Sequence, residues 1–282
     1  MKRDFCLGSE WLYYKIYTGV KTSDFILLEQ LEPIISNLLK KKIISKWFFI
    51  RYKDTDEHLR VRFLLPSNNH LPKVIKAFYP VFEKLMEENL IWKIQTDTYK
   101  RELERYGENT IEDSEFLFWK DSEMILRYIS LKREFQKKEI PLFFSFCAID
   151  SFLNSFSFTN FEKYTLMNNL QNSFKEEFSI DKDSKKQLDK EYRRLFNDIK
   201  LFLNQNVKND NLEFFEIINE KQNQISDRIA EIKIRIQFSI SDFVASHIHM
   251  MINRQYNSKQ RMYELIIYDH LCRYYKTLNY KI

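Results

Sequence analysis

Glycine is almost missing from this chain: three in 282 residues, beside five prolines. Phosphate-cradling loops need glycine, because only a residue without Cβ lets backbone N–H groups close around an anion. Neither a GxGxxG nor a GxxxxGK[ST] pattern occurs. So few turn formers also argue against an all-β sandwich and against long linkers. Cysteine is equally scarce. Cys6, Cys147 and Cys272 are odd in number, far apart and never in a CxxC pair. That argues against a disulfide framework or a zinc scaffold and fits a reduced, cytoplasmic protein. No apolar run reaches the roughly 18 residues a membrane span needs, so no transmembrane segment is expected. The charged start Met1-Lys2-Arg3-Asp4 leads into no signal-peptide core.

What is present is aromatic and evenly charged. Phe, Tyr and Trp make up 16% of the chain, too much for disorder. Lys and Arg number 45 against 40 Asp and Glu, a net +5 spread along the chain. A dedicated nucleic-acid binder concentrates more charge on one face, so direct nucleic-acid contact is not expected.

The first hundred residues read as six alternating elements. Trp11–Thr18 (WLYYKIYT) is aromatic and β-branched, a strand. Ser23 reads as the cap of a helix over 24–40, with Phe25, Leu28, Leu31, Ile35 and Leu38 at helical spacing. Residues 47–52 (WFFIRY) and 58–65 (HLRVRFLL) are strands around a polar turn. A second helix covers 71–89, with Pro72 in its first turn, and 91–99 is the fourth strand. The order β-α-β-β-α-β is the split, ferredoxin-like unit.

A period of two sorts the side chains. Leu59, Val61 and Phe63 point one way, toward the two helices; His58, Arg60 and Arg62 point the other. Arg51 groups with Trp47 and Phe49, Tyr13 with Lys15 and Tyr17, and Lys93 with Gln95, Asp97 and Tyr99. One sheet face is thus apolar and the other rich in cations and aromatics. A solvated antiparallel face explains this; so does a carboxylate-binding face, because guanidinium forks match carboxylates.

After Gly107 strand signals fade. Thr110-Ile-Glu-Asp opens a helix to about residue 135, and further helices are expected over 142–156, 161–178, 184–205, 212–222, 241–254 and 259–278. The charged stretch 181–194 reads as the wet face of a helix. The chain is therefore α+β: a ferredoxin-like lobe over 1–107 and a mostly helical lobe over 108–282, with a cleft between lobes as the default site. His247 and His249, two apart on a helix, lie roughly 200° from each other and offer no metal-binding spacing. No metal or cofactor is implied. In Thr98–Gly107 (TYKRELERYG), a short helical turn stopped by Gly107 pairs Glu102 with Arg105 at i, i+3.

At this point the residues carry a family likeness. Phe48-Phe49-Ile50-Arg51-Tyr52-Lys53-Asp54 and His58-Leu59-Arg60-Val61-Arg62-Phe63 come first, followed by Asp97-Thr98-Tyr99 with Glu102 and Arg105-Tyr106-Gly107. Glu115-x-x-Phe118-x-x-Asp121-Ser122 and His249-Met250-x-x-Asn253-Arg254 complete the set. This ordered set, spanning roughly residues 11–275, resembles the glutamate-elimination domain of class I lanthipeptide dehydratases, also called the thiopeptide-type bacteriocin biosynthesis domain. Glu108 stands where a second glycine often follows RYG.

The resemblance implies a function. In such systems a partner protein glutamylates Ser and Thr of a precursor peptide, using glutamyl-tRNA as donor. The elimination domain then expels glutamate and leaves dehydroalanine or dehydrobutyrine. By resemblance Arg62 and Arg105 bind the glutamyl group or stabilise developing charge, Arg60 supports them, and Glu102 orients an arginine or the glutamyl amine. His249 is the candidate for proton transfer, with base duty open between His249 and Glu102; Arg51, Tyr99, Asn253 and Arg254 are substrate-binding candidates. A chain of 282 residues holds no large glutamylation module, so the expectation is a split elimination protein with a separate glutamylation partner. Open strand edges and exposed aromatics also allow a homodimer. Two alternatives stand beside this reading. One is the formal [4+2] heterocycle-forming cyclase that thiopeptide pathways build on a related domain. The other is a non-catalytic module that binds a precursor peptide or tethers the glutamylation protein.

Overall fold

The computed structural model describes residues 1–132, 138–205 and 212–279. They divide into two compact units. The first comprises Met1–Ser130, Arg235–Phe238 and Asn253–Ser258; the second comprises Leu131–Ile234, Ser239–Ile252 and Lys259–Ile282.

Strands β1 (Asp4–Phe5), β2 (Trp11–Thr18), β3 (Lys46–Lys53), β4 (Glu57–Leu64), β5 (Ile91–Thr96) and β6 (Tyr99–Lys100) all lie in the first unit. Four of them form an antiparallel sheet in the order β3-β4-β2-β5. That is the expected ferredoxin-like sheet. Its first crossover is a helix in three pieces, α1 (Ser23–Phe25), a π-helical stretch Ile26–Leu31 and α2 (Glu32–Lys40); its second is α3 (Leu71–Glu87). Leu59, Val61 and Phe63 are buried, as their alternation required. Tyr14 and Phe63 meet Phe78 of α3 with ring centroids 6.3 and 5.1 Å apart, the spacing at which aromatic pairs contribute about 1 kcal/mol beyond burial. After the sheet come α4 (Leu103–Tyr106) and α5 (Ile111–Leu131); α5 belongs to the first unit except for its last residue.

Three local expectations change. Thr22, not Ser23, precedes α1, and Ser23 sends its hydroxyl back to the Val20 carbonyl at 2.8 Å. The fourth strand stops at Thr96, not at residue 99, because Asp97 turns the chain: its carboxylate accepts the Thr98 N–H at 2.7 Å and pairs with Lys15 at 2.5 Å. Tyr99 therefore leaves that strand and pairs with Phe5 in a separate two-stranded sheet, β1–β6. The third change concerns Arg51. Register places Arg51 opposite Leu59 and Phe49 opposite Val61, so Arg51 lies on the helix-covered face; Phe48, Ile50 and Tyr52 share the face of Arg62, Arg60 and His58.

The second unit contains α6 (Ile140–Ser155), α7 (Asn160–Glu177), α8 (Lys182–Leu203), α9 (Leu212–Arg235), α10 (Ile240–Gln255) and α11 (Gln260–Asn279), with the last residues of α9 and α10 assigned to the first unit. Its core is phenylalanine-rich: Phe143 stacks on Phe202 at 4.5 Å, and Phe144 meets Phe214 edge-on at 5.3 Å. Helix α9 runs 13 residues past the expected 222, because Ile225, Ile229 and Ile232 continue one buried stripe. The charged stretch 181–194 is solvated on α8, with Tyr192 its one buried residue. The expected helical span to residue 135 partly falls outside the described residues. Among the described residues no helix is long and apolar enough to cross a membrane.

Candidate active site

Register builds a pocket for one arginine. Arg62 on β4 lies opposite Tyr13 on β2 and Phe48 on β3. Its guanidinium carbon is 4.4 Å from the Tyr13 ring centroid, 5.0 Å from Tyr99 and 5.2 Å from Phe48. The residue is 8% exposed, and Arg62 Nε is buried without a hydrogen-bond partner among the described residues. The hydroxyl of Tyr13, whose ring the guanidinium covers, is likewise buried without a hydrogen-bond partner among the described residues. Burial pushes the Arg62 guanidinium below its ordinary value and the Tyr13 phenol above its own. Cation–π contact offsets about 2 kcal/mol of the desolvation, against a penalty of several kcal/mol for a buried unpaired charge. A buried cation whose Nε has no partner, with an unpartnered phenol hydroxyl on one of the rings it stacks against, asks for an anion such as a carboxylate.

Tyr99 is a fixed wall of this pocket. Its hydroxyl donates to Glu115 Oε1 at 3.1 Å, and burial together with that carboxylate holds its phenol well above the ordinary range. Glu115, fully buried on α5, is clamped by Arg101 through Nε at 2.7 Å and Nη2 at 2.8 Å. Arg101 was not singled out from the sequence; the buried acid it answers, Glu115, was the available signal.

Arg60 is half-buried, its guanidinium 3.4 Å over the Tyr52 ring, and Nε donates to His58 Nε2 at 3.1 Å. Burial lowers the His58 pKa, which suits an imidazole accepting from a guanidinium. Glu102 and Arg105 form the expected i, i+3 pair, Nε to Oε2 at 3.2 Å, with side chains 60% and 53% exposed. Gly107 ends that turn at φ 71°, where a Cβ would come within 2.8 Å of the Phe238 ring. Only glycine fits there.

Arg51, Asn253 and Arg254 form a different assembly. The Arg51 guanidinium donates to Asp24 at 2.6 Å, to the Ser23 hydroxyl at 2.7 Å and to the Arg254 carbonyl at 2.9 Å. The Asn253 side chain takes the Arg51 N–H at 3.0 Å and donates to the Arg51 carbonyl at 2.8 Å, closing both outward backbone groups of this one residue on an edge strand. Arg254, fully buried, donates through Nε to the Phe49 carbonyl at 2.8 Å, and burial lowers its pKa to about 10. These three residues bolt the end of α10 to β3.

In the second unit, His249 on α10 sets Nδ1 2.6 Å from Oε1 of Glu264 on α11, with its side chain 34% exposed. Glu264 is buried and also accepts from the Tyr268 hydroxyl at 3.0 Å and from Arg261 Nη1 at 3.0 Å. His247, two residues earlier, is buried against Phe243 with ring centroids 4.5 Å apart. It is a core residue. Glu264 carries no motif; the i, i+3 pairing with Arg261 and the i, i+4 pairing with Tyr268 were its only sequence signal.

The family model described as "Lantibiotic biosynthesis dehydratase C-term" matches residues 11–275. The subtilin biosynthesis protein SpaB of Bacillus subtilis is 29% identical over 184 residues, which cover 62% of this chain and 17% of SpaB. The nisin biosynthesis protein NisB of Lactococcus lactis subsp. lactis is 28% identical over 130 residues, 45% of this chain and 12% of NisB. The chain thus aligns with under a fifth of the length of these curated relatives. The tRNA-dependent lantibiotic dehydratase MibB from Microbispora sp. 107891 superposes with a TM-score of 0.78 at 18% identity, over 98% of this chain and 29% of MibB. The pyridine synthase TbtD from thiomuracin biosynthesis gives 0.64 at 11% identity, over 95% of this chain and all of TbtD. With the family model matching almost the whole described chain, the protein belongs to the lantibiotic dehydratase C-terminal family.

Proposed function

We propose that the protein eliminates glutamate from glutamylated Ser and Thr of a ribosomally made precursor peptide, leaving dehydroalanine or dehydrobutyrine. A separate, glutamyl-tRNA-dependent protein supplies the ester. The observation that carries this reading is the buried Arg62 guanidinium over the Tyr13 ring, with Arg62 Nε and the Tyr13 hydroxyl both lacking a hydrogen-bond partner among the described residues. Glutamate linked through its side-chain carboxyl keeps a free α-carboxylate, and that anion answers both orphaned groups.

The chemistry asks for a base at Cα and stabilisation of the charge that develops on the adjacent carbonyl. In this proposal His249 takes the Cα proton, the C–H electrons form the Cα=Cβ bond, and the Cβ–O bond breaks. Glutamate leaves with that electron pair as a carboxylate, so no strong acid is needed. Arg62 anchors the leaving group and Arg60 adds positive charge on the same sheet face. Arg105, exposed and among the described residues paired with Glu102, is in this proposal the arginine that reaches the substrate while Glu102 orients it. Arg51 and Asn253 act as positioning residues, since their described bonds run to Ser23, Asp24, the Arg254 carbonyl and one another. Arg254 holds the Phe49 carbonyl through Nε and lies 3.7 Å from Asp121, while its Nη1 and Nη2 are buried without a hydrogen-bond partner among the described residues, so it stays a substrate-binding candidate.

The coverage of all of TbtD keeps a heterocycle-forming reading as the competitor. Co-expression with a glutamylation protein and a candidate precursor, followed by mass spectrometry, separates the two. Dehydrated peptide in the wild type, replaced by retained glutamyl adducts when Arg105 or His249 becomes alanine, supports elimination. Release of a leader segment with ring formation supports the cyclase and overturns the proposal, as does a peptide that shows neither change.

A further inference from the structure

We infer that Glu264 is the positioning residue that fixes His249 in the tautomer with the proton on Nδ1, leaving Nε2 as the atom that takes a proton. The inference rests on His249 being the proton acceptor of the proposed elimination.

The argument begins with what each atom can do. An ionised carboxylate only accepts hydrogen bonds. Arg261 places Nη1 3.0 Å from Glu264 Oε2 and also pairs with Glu177, so the buried carboxylate has a cation against it. Tyr268 donates to Oε1, and burial with the neighbouring Glu264 charge pushes its phenol well above the ordinary value; it stays a donor at any working pH. One Glu264 oxygen takes the Tyr268 hydroxyl and the other takes Arg261, so both oxygens already act as acceptors.

His249 Nδ1 approaches the same Oε1 at 2.6 Å, a short distance of the kind charge-assisted bonds show. Against an acceptor, Nδ1 must be the donor. A neutral imidazole carries one ring proton, so Nε2 then holds the lone pair. The His249 side chain is partly exposed whereas Glu264 is 1% exposed, so the ring meets a buried carboxylate on one side and keeps access on the other. A second partner that sets which ring nitrogen is free is the usual way a protein orients a histidine base. Tyr268 and Arg261 in turn hold Glu264, and Arg261 lies 3.9 Å over the Phe174 ring, fixing its own position.

The test is nitrogen NMR of His249 in the full chain, joined to elimination kinetics on a separately prepared glutamylated peptide. In wild type the neutral ring is expected as the Nδ1–H tautomer, with a low-field Nδ1 proton. Glu264→Gln is expected to lower kcat by about 10²- to 10⁴-fold with KM little changed, because the amide can donate to Nδ1 and force the proton onto Nε2. Glu264→Asp keeps an acceptor and is expected to restore part of kcat and the Nδ1–H signal. A wild-type ring found as the Nε2–H tautomer overturns the inference whatever the variants do. So does an unchanged kcat in folded Glu264→Gln. If folded His249→Ala eliminates at the wild-type rate, His249 is not the proton acceptor and the inference falls with that role, while the elimination itself stands; if the wild type does not eliminate, the proposed function is what fails.

Discussion

Arg51 and Arg62 sit on neighbouring strands, both buried, and differ in almost everything else. Arg51 faces the helices, and its guanidinium is met by a carboxylate, a hydroxyl and a carbonyl. Arg62 faces the opposite side, stacked among Tyr13, Phe48 and Tyr99, with Nε orphaned. Both residues bear the cost of desolvation. Only for Arg51 does the fold itself answer the charge. A buried arginine fully partnered by its own chain holds the structure together, whereas one left without partners stores a demand that a ligand meets.

Substitution can break that contrast. Arg51→Met leaves Asp24 buried without its cation, and a loss of about 3–5 kcal/mol of stability is expected in chemical denaturation. Arg62→Met, by comparison, removes an unpaired buried charge. Its stability should stay within about 1 kcal/mol of wild type or rise, while glutamate elimination falls by about 10²- to 10³-fold, the usual size of losing one preorganised charge donor. Should the two variants lose stability equally, the contrast is false. Asn253→Ala removes two hydrogen bonds to an edge strand and is expected to cost about 1–3 kcal/mol in the same denaturation experiment. Arg105→Ala breaks an exposed pair worth less than about 1 kcal/mol, so melting should hardly move while elimination drops.

A pH titration sharpens the contrast from the paired side. Asp269 in the second unit is buried, which would raise its pKa, yet the His270 ring 3.4 Å away and hydrogen bonds from Arg273 and Lys175 hold it well below the ordinary carboxylate value. A depressed folded pKa gives stability that is present above the unfolded value of about 3.9 and lost as pH falls through the folded one. Thermal melting of the wild type should therefore fall more steeply below about pH 4 than that of Asp269→Asn.

How far these roles can be read from the sequence depends on whether a strand has one dry face or two. In β4 the alternation Leu59, Val61, Phe63 against His58, Arg60, Arg62 is visible because only one side is apolar. In β3, Trp47, Phe48 and Phe49 are all buried, so no period of two survives and the sequence-based grouping did not show that Arg51 faces the helices. The Glu102–Arg105 turn was legible because its partners are three residues apart and Gly107 marks its end. Tyr99 was misplaced on the fourth strand because a single Asp97 turn, set by side-chain hydrogen bonds, ends that strand early. Glu264 was missed for the opposite reason. Its partner His249 stands on another helix, and only tertiary packing brings Nδ1 and the carboxylate together.

The most direct measurement of the central claim uses purified protein and a synthetic peptide bearing a glutamyl ester on serine. Wild type and Arg62→Met are incubated with it side by side, and the products are weighed by mass spectrometry. The expected result is loss of glutamic acid to give dehydroalanine with the wild type, and intact ester with a folded Arg62→Met protein. Equal turnover by the two proteins, or an ester untouched by the wild type, would contradict it.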